Sequence, residues 1–582
     1  KKPKQQRSGD SGGGGGGGGG PPPKPVGDLD SVLVDIKTLW NRLRQKQNTK
    51  AQTREIMDEL MVAITGRVRQ IALKHDAARV VQAAVQFGSV ADRRAIVSEL
   101  AAGGGGDAKA IGKDRGKKSA GVGGSGGMAE LCTVQYAHFV VLKILKYCCG
   151  PAPTGKDAGK DVPGRPCGDE TVRRSIVRHC LRGNVLRLST HANGSGVVEL
   201  ALETLPKADA EGLRRELFGR EFTPLFSDGG AFGTADGAAA VVSSSRNMFA
   251  DILDGCADDP KKTEKLLSHV TALLNKFVDR GLLALHFVQR LLFEYFDGLE
   301  QAGADATGKL RSEMASAIAD RIPHAISSRA GAAAACAAFG FASAKDRKKM
   351  MKSLKGYVGS TLEHRDAYIV PARMATACDD TVSSSKYLID ELVKGPPPAQ
   401  GAAAPKDHPL LAVSTHPTAH RMLLAIMSRP DTLGRLFGPY ERTLLAPTFL
   451  PGADGADPVP TSKKDPEVRR AELLKGMKTA TIALCGRHAR RLMEDRAGAA
   501  VLREACGAFP EETARDVAAA TAVGDGDVFE HPTGHLLWKQ VLSAEADDGG
   551  DKDEDGGAPA AAALHDMYGG KLLQTVGASN RG

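Results

Sequence analysis

The sequence lacks the features that mark several common classes of protein. Its ten cysteines form no CxxC pair, so neither a zinc ribbon nor a disulfide framework is indicated, and a reducing, intracellular compartment is expected. It has no run of about 18 apolar residues, and its mean hydropathy is −0.23, so no membrane association is expected. Aromatic residues make up only 5% of the chain, fewer than a β-sandwich or an OB-fold would need. The composition therefore favours an all-α protein.

Motifs for catalysis and cofactor binding are also missing. The nine-glycine run at residues 12–20 is not followed by Lys-Ser/Thr, and no GxxxxGK[ST] occurs. The two HPTxH pentads, at 416–420 and 531–535, lack the glutamate of HExxH zinc proteases, and their proline favours a turn or helix start. We interpret both pentads as capping or packing motifs, and Cys180 and Cys506 as buried cysteines. The sequence predicts no enzyme, no metal, no cofactor and no small-molecule substrate.

What the chain does contain is apolar residues at helical spacing, separated by glycine- and proline-rich spacers. Residues 28–43 and 55–71 each carry an apolar stripe at three- and four-residue steps, which predicts two amphipathic helices. Asp28 and Thr53 are candidate N-caps, and Gly66 and Gly88 are candidate interruptions or stops.

Short similar segments recur along the chain and indicate helical repeats. Each consists of a turn followed by an apolar helix. Besides the two pentads, looser copies begin at His75, Tyr136, His191, Leu283 and Arg365, and degenerate copies lie at 331–341 and 495–506. Units of about 36–45 residues that bury their apolar faces only against neighbours form an α-solenoid.

Composition divides this solenoid into three parts. We predict a disordered basic tail at 1–27, N-terminal repeats over 28–205, and C-terminal repeats over 206–582 with a truncated last repeat. Disordered insertions are predicted near 101–127, 150–168, 395–405, 447–461 and 545–563. Residues 1–25 contain no apolar core, so no signal peptide is expected there, and the ends at Lys1 and Gly582 indicate a fragment of a longer product.

Several segments resemble one family in order along the chain. They include KHDAARVVQAAVQFGSVADRR at 74–94, ASAKDRKKMMKSLKGYV at 342–358, SKKDPEVRRAELL at 462–474, EHPTGHLL at 530–537 and ASNRG at 578–582. These are similar to the nucleolar Pumilio-related family called Puf-A. The resemblance implies about eleven armadillo-like Pumilio repeats in an L-shaped α-solenoid. It also implies binding of RNA or DNA with little sequence preference, and work in large-subunit ribosome assembly.

The positions that read bases in Pumilio repeats can be inspected here. Each sequence-reading repeat uses two polar edge readers and one stacking side chain from its second helix. In the first repeat Arg79 can stack and Gln82 can hydrogen-bond. The other triplets are incomplete: His138 with Phe139 and Leu142, Ser195 with Gly196 and Glu199, Gly331 with Ala332 and Ala335, His420 with Arg421 and Leu424, and His535 with Leu536 and Lys539. We call these the reader positions, and they predict weak sequence specificity.

Binding to the phosphate backbone requires lysine and arginine in rows, and five basic clusters provide them. A single cluster is as well explained by a solvated helix face. The candidate phosphate-binding residues are Arg67, Arg69, Lys74, Arg174, Arg178, Arg182, Lys345, Arg347, Lys348, Lys349, Lys463, Lys464, Arg469, Arg470, Arg487 and Arg491, with Asn580 and Arg581 in the last segment.

The sequence thus predicts a non-enzymatic RNA-binding α-solenoid that acts as an assembly factor for the large (60S) ribosomal subunit in the nucleolus. We expect a concave basic face to clamp structured pre-rRNA, while other surfaces contact pre-60S ribosomal proteins and assembly factors. One alternative is a sequence-specific mRNA-binding translational repressor, which requires complete reader triplets in most repeats. The other is a protein-only helical-repeat scaffold, which requires basic clusters that do not share a face.

Overall fold

The computed structural model describes residues 28–102, 127–151, 164–219, 247–305, 307–395, 408–450, 457–510, 512–513 and 517. Over these residues the chain is helical apart from one two-stranded ribbon, which confirms the all-α prediction. It divides into two compact units, residues 1–182 (unit 1) and 183–582 (unit 2). Within the described ranges no helix combines the length and the apolar character needed to cross a bilayer. The predicted repeat boundary at residue 205 stays a prediction.

Unit 1 contains eight described helices. They are α1 Asp28–Leu43, α2 Lys50–Ile64, α3 Val68–Ala72, α4 Ala78–Phe87, α5 Val90–Ala102, α6 Met128–Leu131, α7 His138–Ile144 with a π-helical turn Leu145–Cys149, and α8 Glu170–Ile176 with a π-helical turn Val177–Leu181.

Unit 2 continues the numbering. Its first helices are α9 Val185–Ser189, α10 Gly194–Thr204, α11 Lys207–Arg215 with a 3₁₀ turn Glu216–Phe218, α12 Met248–Asp254, α13 Pro260–Asp279, α14 His286–Gln301, α15 Lys309–Ile318, α16 Ile322–Ala325, α17 Arg329–Phe341 and α18 Ala344–Ser353. They are followed by α19 Val358–Glu363, α20 Ile369–Ala377, α21 Thr381–Ser384 with a π-helical turn Ser385–Ile389, α22 Asp390–Lys394, α23 Pro409–Thr415, α24 His420–Met427, α25 Leu433–Leu436, α26 Pro439–Leu445, β1 Phe449–Leu450, β2 Val459–Pro460, α27 Pro466–Glu494 and α28 Arg496–Ala508.

The helices are arranged as three-helix repeats whose equivalent helices stack. In unit 1 the second helix of one repeat, α4, packs on the second helix of the next, α7, while the third helices α5 and α8 pack on each other. In unit 2 the second-helix layer runs α14, α17, α20, α24 and α28, each packed on the one before. This stacking buries each apolar stripe against a neighbouring repeat, which is how a solenoid forms its core.

A recurring carboxylate fixes the start of the first helix in several repeats. Glu99 accepts backbone N–H groups from Gly66 and Val68, at 2.8 and 2.6 Å. Glu216 does the same for Gly183 and Val185, and Glu391 for Gly356 and Val358. The glycine has positive φ in all three, at 79°, 73° and 85°, a conformation that side chains disfavour. A Gly-x-Val pair with a glutamate some thirty residues later is therefore a repeat signature of this chain.

The two helices predicted near the N-terminus need one correction. Helix α1 has the predicted limits, and Gly66 interrupts the second apolar stripe as expected. The second helix begins earlier, however, because Thr49 and Gln52 form a capping box that satisfies its first N–H groups. Thr53 lies inside that helix and its hydroxyl donates to the Thr49 carbonyl at 2.9 Å.

Two of the predicted insertions have structured ends. Around 447–461, the antiparallel ribbon pairs Phe449 with Pro460 and Leu450 with Val459. The ribbon is flanked by Thr448 and Thr461, whose oxygens accept hydrogen bonds from the buried arginines Arg373 and Arg347. Residues 164–169, at the end of the 150–168 insertion, are held by backbone hydrogen bonds, among them Cys167 N–H to the Tyr147 carbonyl at 2.9 Å. Residues 101–102 of the first predicted insertion belong to α5, and 127, 150–151 and 395 at the edges of insertions are also described. The other parts of the predicted insertions and the tail at 1–27 lie outside the described residues.

Candidate nucleic-acid interface

In unit 1 two reader positions present side chains to solvent on adjacent helices. Arg79 lies in the first turn of α4 and is exposed, with no side-chain partner among the described residues. Phe139 lies at the equivalent place in α7 and is 47% exposed, although its ring contacts that of His138. Since α4 packs on α7, a guanidinium plane and a phenyl ring occupy matching places in successive repeats. Arginine guanidinium groups and phenylalanine rings are side-chain types that can stack on nucleobases.

The surroundings of this pair are polar and basic. Gln82 is half-buried one turn beyond Arg79, and Lys74 is exposed in the turn before α4. His138 is buried, and its Nδ1 lies 3.1 Å from the Val134 carbonyl oxygen, so it supports the helix start more than it faces solvent. The turns that precede α4 and α7 touch through the rings of His75 and Tyr136, 4.2 Å apart.

Two lysines of α7 and its π-helical turn were missed by the sequence analysis. Lys143 donates to the Gln86 side chain at 2.8 Å and so ties α7 to α4. Burial, together with the charge of Lys146, lowers the pKa of Lys143. Lys146 is exposed. Their spacing of four and seven residues from Phe139 puts them on its helix face, a signal that the sequence does contain.

In unit 2 the equivalent positions are covered by the chain itself. Helix α26 packs on α17 and α20, and its buried Glu441 accepts a hydrogen bond from the Tyr368 hydroxyl at 2.8 Å. Arg421, a predicted reader, pairs with the same carboxylate at 3.5 Å and donates to the Leu436 carbonyl. Arg329 at the start of α17 stacks on Tyr440, 3.8 Å from its ring centroid. Arg421 is the second residue of α24, as Arg79 and Phe139 are of α4 and α7, and it binds protein groups where those two residues of unit 1 face solvent. Tyr368, just before α20, and Arg329, at the start of α17, also bind protein groups.

Other reader positions of unit 2 offer little to a base. Ser195 is buried and its hydroxyl donates to the Ala192 carbonyl. Gly331 and Ala332 are buried in α17, where the Gln289 side chain fills the space in front of Gly331. These positions agree with the prediction that the chain holds no base-by-base code.

The first HPTxH pentad is a capping motif, as predicted. The Nδ1 of His416 accepts from the backbone N–H groups of Thr418 and Ala419, both at 3.3 Å. His191 and His364 cap the turns of two other repeats in the same way. His420 is buried with its Nδ1 2.8 Å from the His416 carbonyl oxygen, and burial lowers its pKa. The Nδ1 atoms of both histidines in this pentad thus contact backbone groups. The second pentad lies outside the described residues.

Two predicted phosphate-binding arginines are buried, which corrects their assignment. Arg347 donates to the carbonyls of Phe339, Gly340 and Ala377 at 2.8–3.1 Å. Arg469 donates to the carbonyls of Thr376 and Cys378 at 2.8 and 2.9 Å. Both guanidinium groups thereby satisfy the carbonyls at the ends of second helices, where a cation also meets the negative end of the helix dipole. They are structural caps and do not face a ligand.

Arg347 has a counterpart in unit 1 that the sequence analysis passed over. Arg93 is 1% exposed and donates to the carbonyls of Val85 and Gln86 at 2.9 and 3.0 Å, eight and seven residues before it, as Arg347 does in its own repeat. Both arginines follow a Ser-x-x-Asp capping pair, at 89–92 and 343–346. The Ser-x-x-Asp-Arg spacing is therefore the sequence signal of a buried helix cap.

Other predicted basic residues are also engaged. Arg470 donates to the Met427 carbonyl at the end of α24, at 2.6 and 2.9 Å. Lys464 pairs with Glu472 at 2.6 Å and Lys349 with Asp346 at 2.8 Å. Arg69, mostly buried, pairs with Glu130 at 2.8 Å. Half-buried Arg67 and Arg182 lie at the start of α3 and just after the π-helical turn that extends α8.

Apart from Lys74, the exposed members of the predicted clusters lie outside the second helices that carry the reader positions. Arg174 and Arg178 are exposed on α8 and its π-helical turn, and Arg174 pairs with Glu170. Lys345 and Lys348 are exposed on α18, Arg487 and Arg491 on α27, and Lys463 in the loop before α27. Helices α8, α18 and α27 belong to the layer of third helices or pack against it. Within unit 1 the exposed arginines of α8 therefore lie in another layer than Arg79 and Phe139, which does not match the single basic face expected from the sequence.

A buried electrostatic network stabilises the loop that carries Lys463. Although burial raises the pKa of Asp379, hydrogen bonds from Ser462, the backbone N–H groups of Lys463 and Lys464, and Arg469 hold it at about 2. Burial, with the charges of Arg347 and Arg469, lowers the pKa of Arg373 to about 10. Asp379 thus fixes this loop next to three buried arginines.

One group in the described ranges has donors spaced for a metal ion: Glu199, Glu203 and His286. The two carboxylate oxygens of Glu199 already accept the backbone N–H groups of His286 and Phe287, at 2.7 and 3.1 Å. The group is explained as the N-terminal cap of α14. His535, Lys539, Asn580 and Arg581 lie outside the described residues, so their role stays a prediction.

Comparison with known proteins agrees with this architecture. Residues 447–551 match the CPL (NUC119) domain. The chain is 23% identical over 527 residues to Pumilio homolog 3 of Homo sapiens, covering 88% of this chain and 67% of that protein. It is 26% identical over 506 residues to Pumilio homology domain family member 6 of Schizosaccharomyces pombe, covering 87% and 64%. The chain spans about two thirds of the length of these relatives.

The fold is also similar to solved structures. Human Puf-A aligns with a TM-score of 0.68 at 21% identity, covering 94% of this chain and 90% of that one. Human Puf-A in complex with DNA aligns with a TM-score of 0.67 at 22% identity, with the same coverage. The protein is therefore a Pumilio-type α-solenoid. Fold, sequence relatives and the CPL match together confirm the resemblance of the chain to the Puf-A-like Pumilio family.

Proposed function

We propose that this protein binds RNA with low sequence specificity and acts as an assembly factor in biogenesis of the large (60S) ribosomal subunit in the nucleolus, without enzymatic activity. The observation that carries the RNA-binding part is the pair of exposed stacking groups, Arg79 and Phe139, on adjacent second helices of unit 1. A neighbouring solved structure, human Puf-A, holds DNA.

The mechanism follows from the residues that surround this pair. Bases stack on the Arg79 guanidinium and the Phe139 ring, interactions that every base can make. Lys74 and Lys146 lie near the ends of these helices, where they attract backbone phosphates. Only Gln82 offers a polar edge contact beside them, so discrimination between bases is weak.

The exposed lysines and arginines of α8, α18 and α27 add a sequence-independent attraction to phosphate. Because the arginines of α8 lie in another layer of unit 1 than the stacking pair, a structured RNA with more than one helix or strand would reach both surfaces. Ribosomal precursor RNA is of this kind, which supports the pre-rRNA assignment. We further propose pre-60S ribosomal proteins and assembly factors as protein partners.

A sequence-specific mRNA repressor is disfavoured, since the reader positions described in unit 2 are buried or bound to protein groups. Crosslinking to RNA in cells, followed by mapping of bound transcripts and imaging of a tagged protein, tests the proposal. We expect enrichment on pre-rRNA and a nucleolar signal. Enrichment on mature coding mRNA would overturn it.

A salt titration of RNA affinity separates RNA binding from the protein-only scaffold. Each phosphate contact with single-stranded RNA contributes about 0.7 to the slope of log affinity against log salt. We expect a slope of about 3 or more in magnitude for the full chain. An absence of binding would support the scaffold.

A further inference from the structure

A long groove in unit 2 lies apart from the reader positions and the basic clusters. It has a volume of about 870 Å³ and is enclosed by α12, α13, the segment after α14 and the first turn of α15. One wall is a stripe of α13 at three- and four-residue spacing from Pro260 to Asn275. At about 1.5 Å per residue this stripe is about 22 Å long, enough for four turns of a helix.

The floor and walls of the groove combine apolar and small side chains. Leu253, Leu267 and Leu310 provide the apolar contacts, and Ala272 is exposed in the stripe of α13. No aromatic or other bulky side chain of the described chain is among its lining residues. A groove of this width and composition fits the apolar face of an amphipathic helix, a common mode of peptide recognition.

The charge of the groove has the opposite sign to that of the chain. Its lining contains two carboxylates, Asp254 and Glu264, and neither lysine nor arginine, in a chain with a net charge of +9. Both carboxylates are exposed, and within the described ranges neither side chain has an ion-pair or hydrogen-bond partner. Lys261, Lys262 and Lys265 of α13 do not line it. Unpaired carboxylates repel phosphate and attract cationic side chains, so the groove is unsuited to RNA.

We propose that this groove is a docking site for an amphipathic, lysine- or arginine-bearing helical segment of a partner protein. Leucine-type side chains of the partner enter between Leu253, Leu267 and Leu310, while its cations pair with Asp254 and Glu264. The inference goes beyond RNA binding, and it does not depend on it. A neutral apolar helix would leave both carboxylates unpaired, and an acidic helix would be repelled.

The test uses the full chain and a fluorescein-labelled synthetic helix of about four turns, with leucines on one face and lysines beside them. A second peptide carries glutamate at every lysine position. Fluorescence anisotropy is expected to show binding of the lysine peptide and at least tenfold weaker binding of the glutamate peptide.

Two variants of the chain test the location. The double substitution Asp254→Lys with Glu264→Lys is expected to weaken binding of the lysine peptide at least tenfold, because two attractions become two repulsions. Ala272→Trp fills the groove without changing its charge, and it is expected to weaken binding of the lysine peptide at least fivefold. The matched control, Glu55→Lys with Glu363→Lys, makes the same charge change at exposed carboxylates outside the groove and should alter affinity less than twofold.

Unchanged melting temperatures confirm that these surface variants fold. Failure of the lysine peptide to bind, equal binding of the glutamate peptide, or equal weakening by the control pair would overturn the proposal. RNA affinity is measured on the same samples to keep the peptide-docking proposal distinguishable from the RNA-binding proposal. If the wild-type chain failed to bind RNA, the RNA-binding proposal would be wrong, but the peptide result would still stand.

Discussion

Unit 1 and unit 2 use the same repeat position in different ways. In unit 1 the first turns of α4 and α7 present Arg79 and Phe139 to solvent. In unit 2 the matching residue of α24, Arg421, pairs with Glu441 of helix α26 instead. Helix α26 also binds Tyr368, just before α20, through Glu441, and Arg329, at the start of α17, through Tyr440. A side chain type that suits a base also suits a protein partner, so residue identity at a reader position does not decide what it binds.

The two units agree, by contrast, in how arginine caps helices. Arg93 in unit 1 and Arg347 in unit 2 make matching hydrogen bonds to the last carbonyls of their own repeat's second helix. Some basic residues of this chain are thus buried and cap helices. The net charge therefore overstates the basic surface that is available to RNA.

The largest effect is expected from the matched pair of buried caps. Arg93→Ala and Arg347→Ala each leave several helix-end carbonyls without a donor and should lower the free energy of unfolding by about 3 kcal/mol. Urea denaturation followed by circular dichroism measures this. Arg174→Ala, at a side chain that is 72% exposed, should cost less than about 0.5 kcal/mol. If Arg347→Ala instead kept stability and lost RNA affinity, its assignment as a cap would be wrong.

The contrast between open and covered reader positions predicts the next largest effect. Arg79→Ala combined with Phe139→Ala removes two stacking platforms, worth about 2–3 kcal/mol together, so RNA affinity should fall about thirtyfold or more. Fluorescence anisotropy with an unstructured RNA measures it. The comparison pair in unit 2, Tyr368→Phe with Arg421→Ala, changes side chains that bind Glu441 and should alter RNA affinity less than twofold. If both double variants lost RNA affinity equally, the proposed difference between unit 1 and unit 2 in RNA binding would be wrong.

Removing the contacts of Glu441 in α26 with Tyr368 and Arg421 should lower stability and leave RNA affinity unchanged. Glu441→Ala removes the carboxylate shared by Tyr368 and Arg421 and should lower the free energy of unfolding by about 2 kcal/mol. Glu441→Gln retains an acceptor for Tyr368 and should lose about half as much. Glu363→Ala, at an exposed residue, is the control. A marked gain in RNA binding stoichiometry for Glu441→Ala would show that the covered positions are latent readers.

A smaller, pH-dependent effect is expected at Asp379. Its pKa of about 2 lies below the usual 3.8, so the carboxylate stabilises the folded state above about pH 4 and loses that effect as the pH falls toward 2. Asp379→Asn should cost about 1 kcal/mol at pH 7, a value reduced for the partial exposure of the side chain. The difference in melting temperature from the wild-type chain should shrink between pH 5 and pH 3. A difference independent of pH would rule out this carboxylate as its source.

The sequence was sufficient for features that depend on local pattern. The limits of α1 follow from its apolar stripe, and the break at Gly66 from a backbone conformation that glycine adopts readily. The capping role of His416 follows from the proline after it, which marks a helix start. Incomplete triplets such as Gly331 with Ala332 and Ala335 exclude a base-by-base code through residue identity alone.

Assignments that depend on burial could not be made from the sequence in the same way. Lys345, Arg347 and Lys348 lie within four residues of each other, yet only Arg347 points into the repeat. The Ser-x-x-Asp-Arg spacing could have identified it, had the equivalent segment at 89–93 been aligned with 343–347. Lys143 could likewise have been found from its four-residue spacing to Phe139.

The sequence by itself determined that this chain is an all-α repeat solenoid with few possible base readers and a resemblance to the Puf-A-like Pumilio family, since helical periodicity and reader identity are local properties. Only the tertiary structure decided which cations face solvent. It also placed α26 over the reader Arg421 and the neighbouring Tyr368, and formed an acidic groove on a basic protein. Each of these results from contacts between residues far apart in the chain, where burial determines whether a charged group binds a carbonyl, a carboxylate or a ligand.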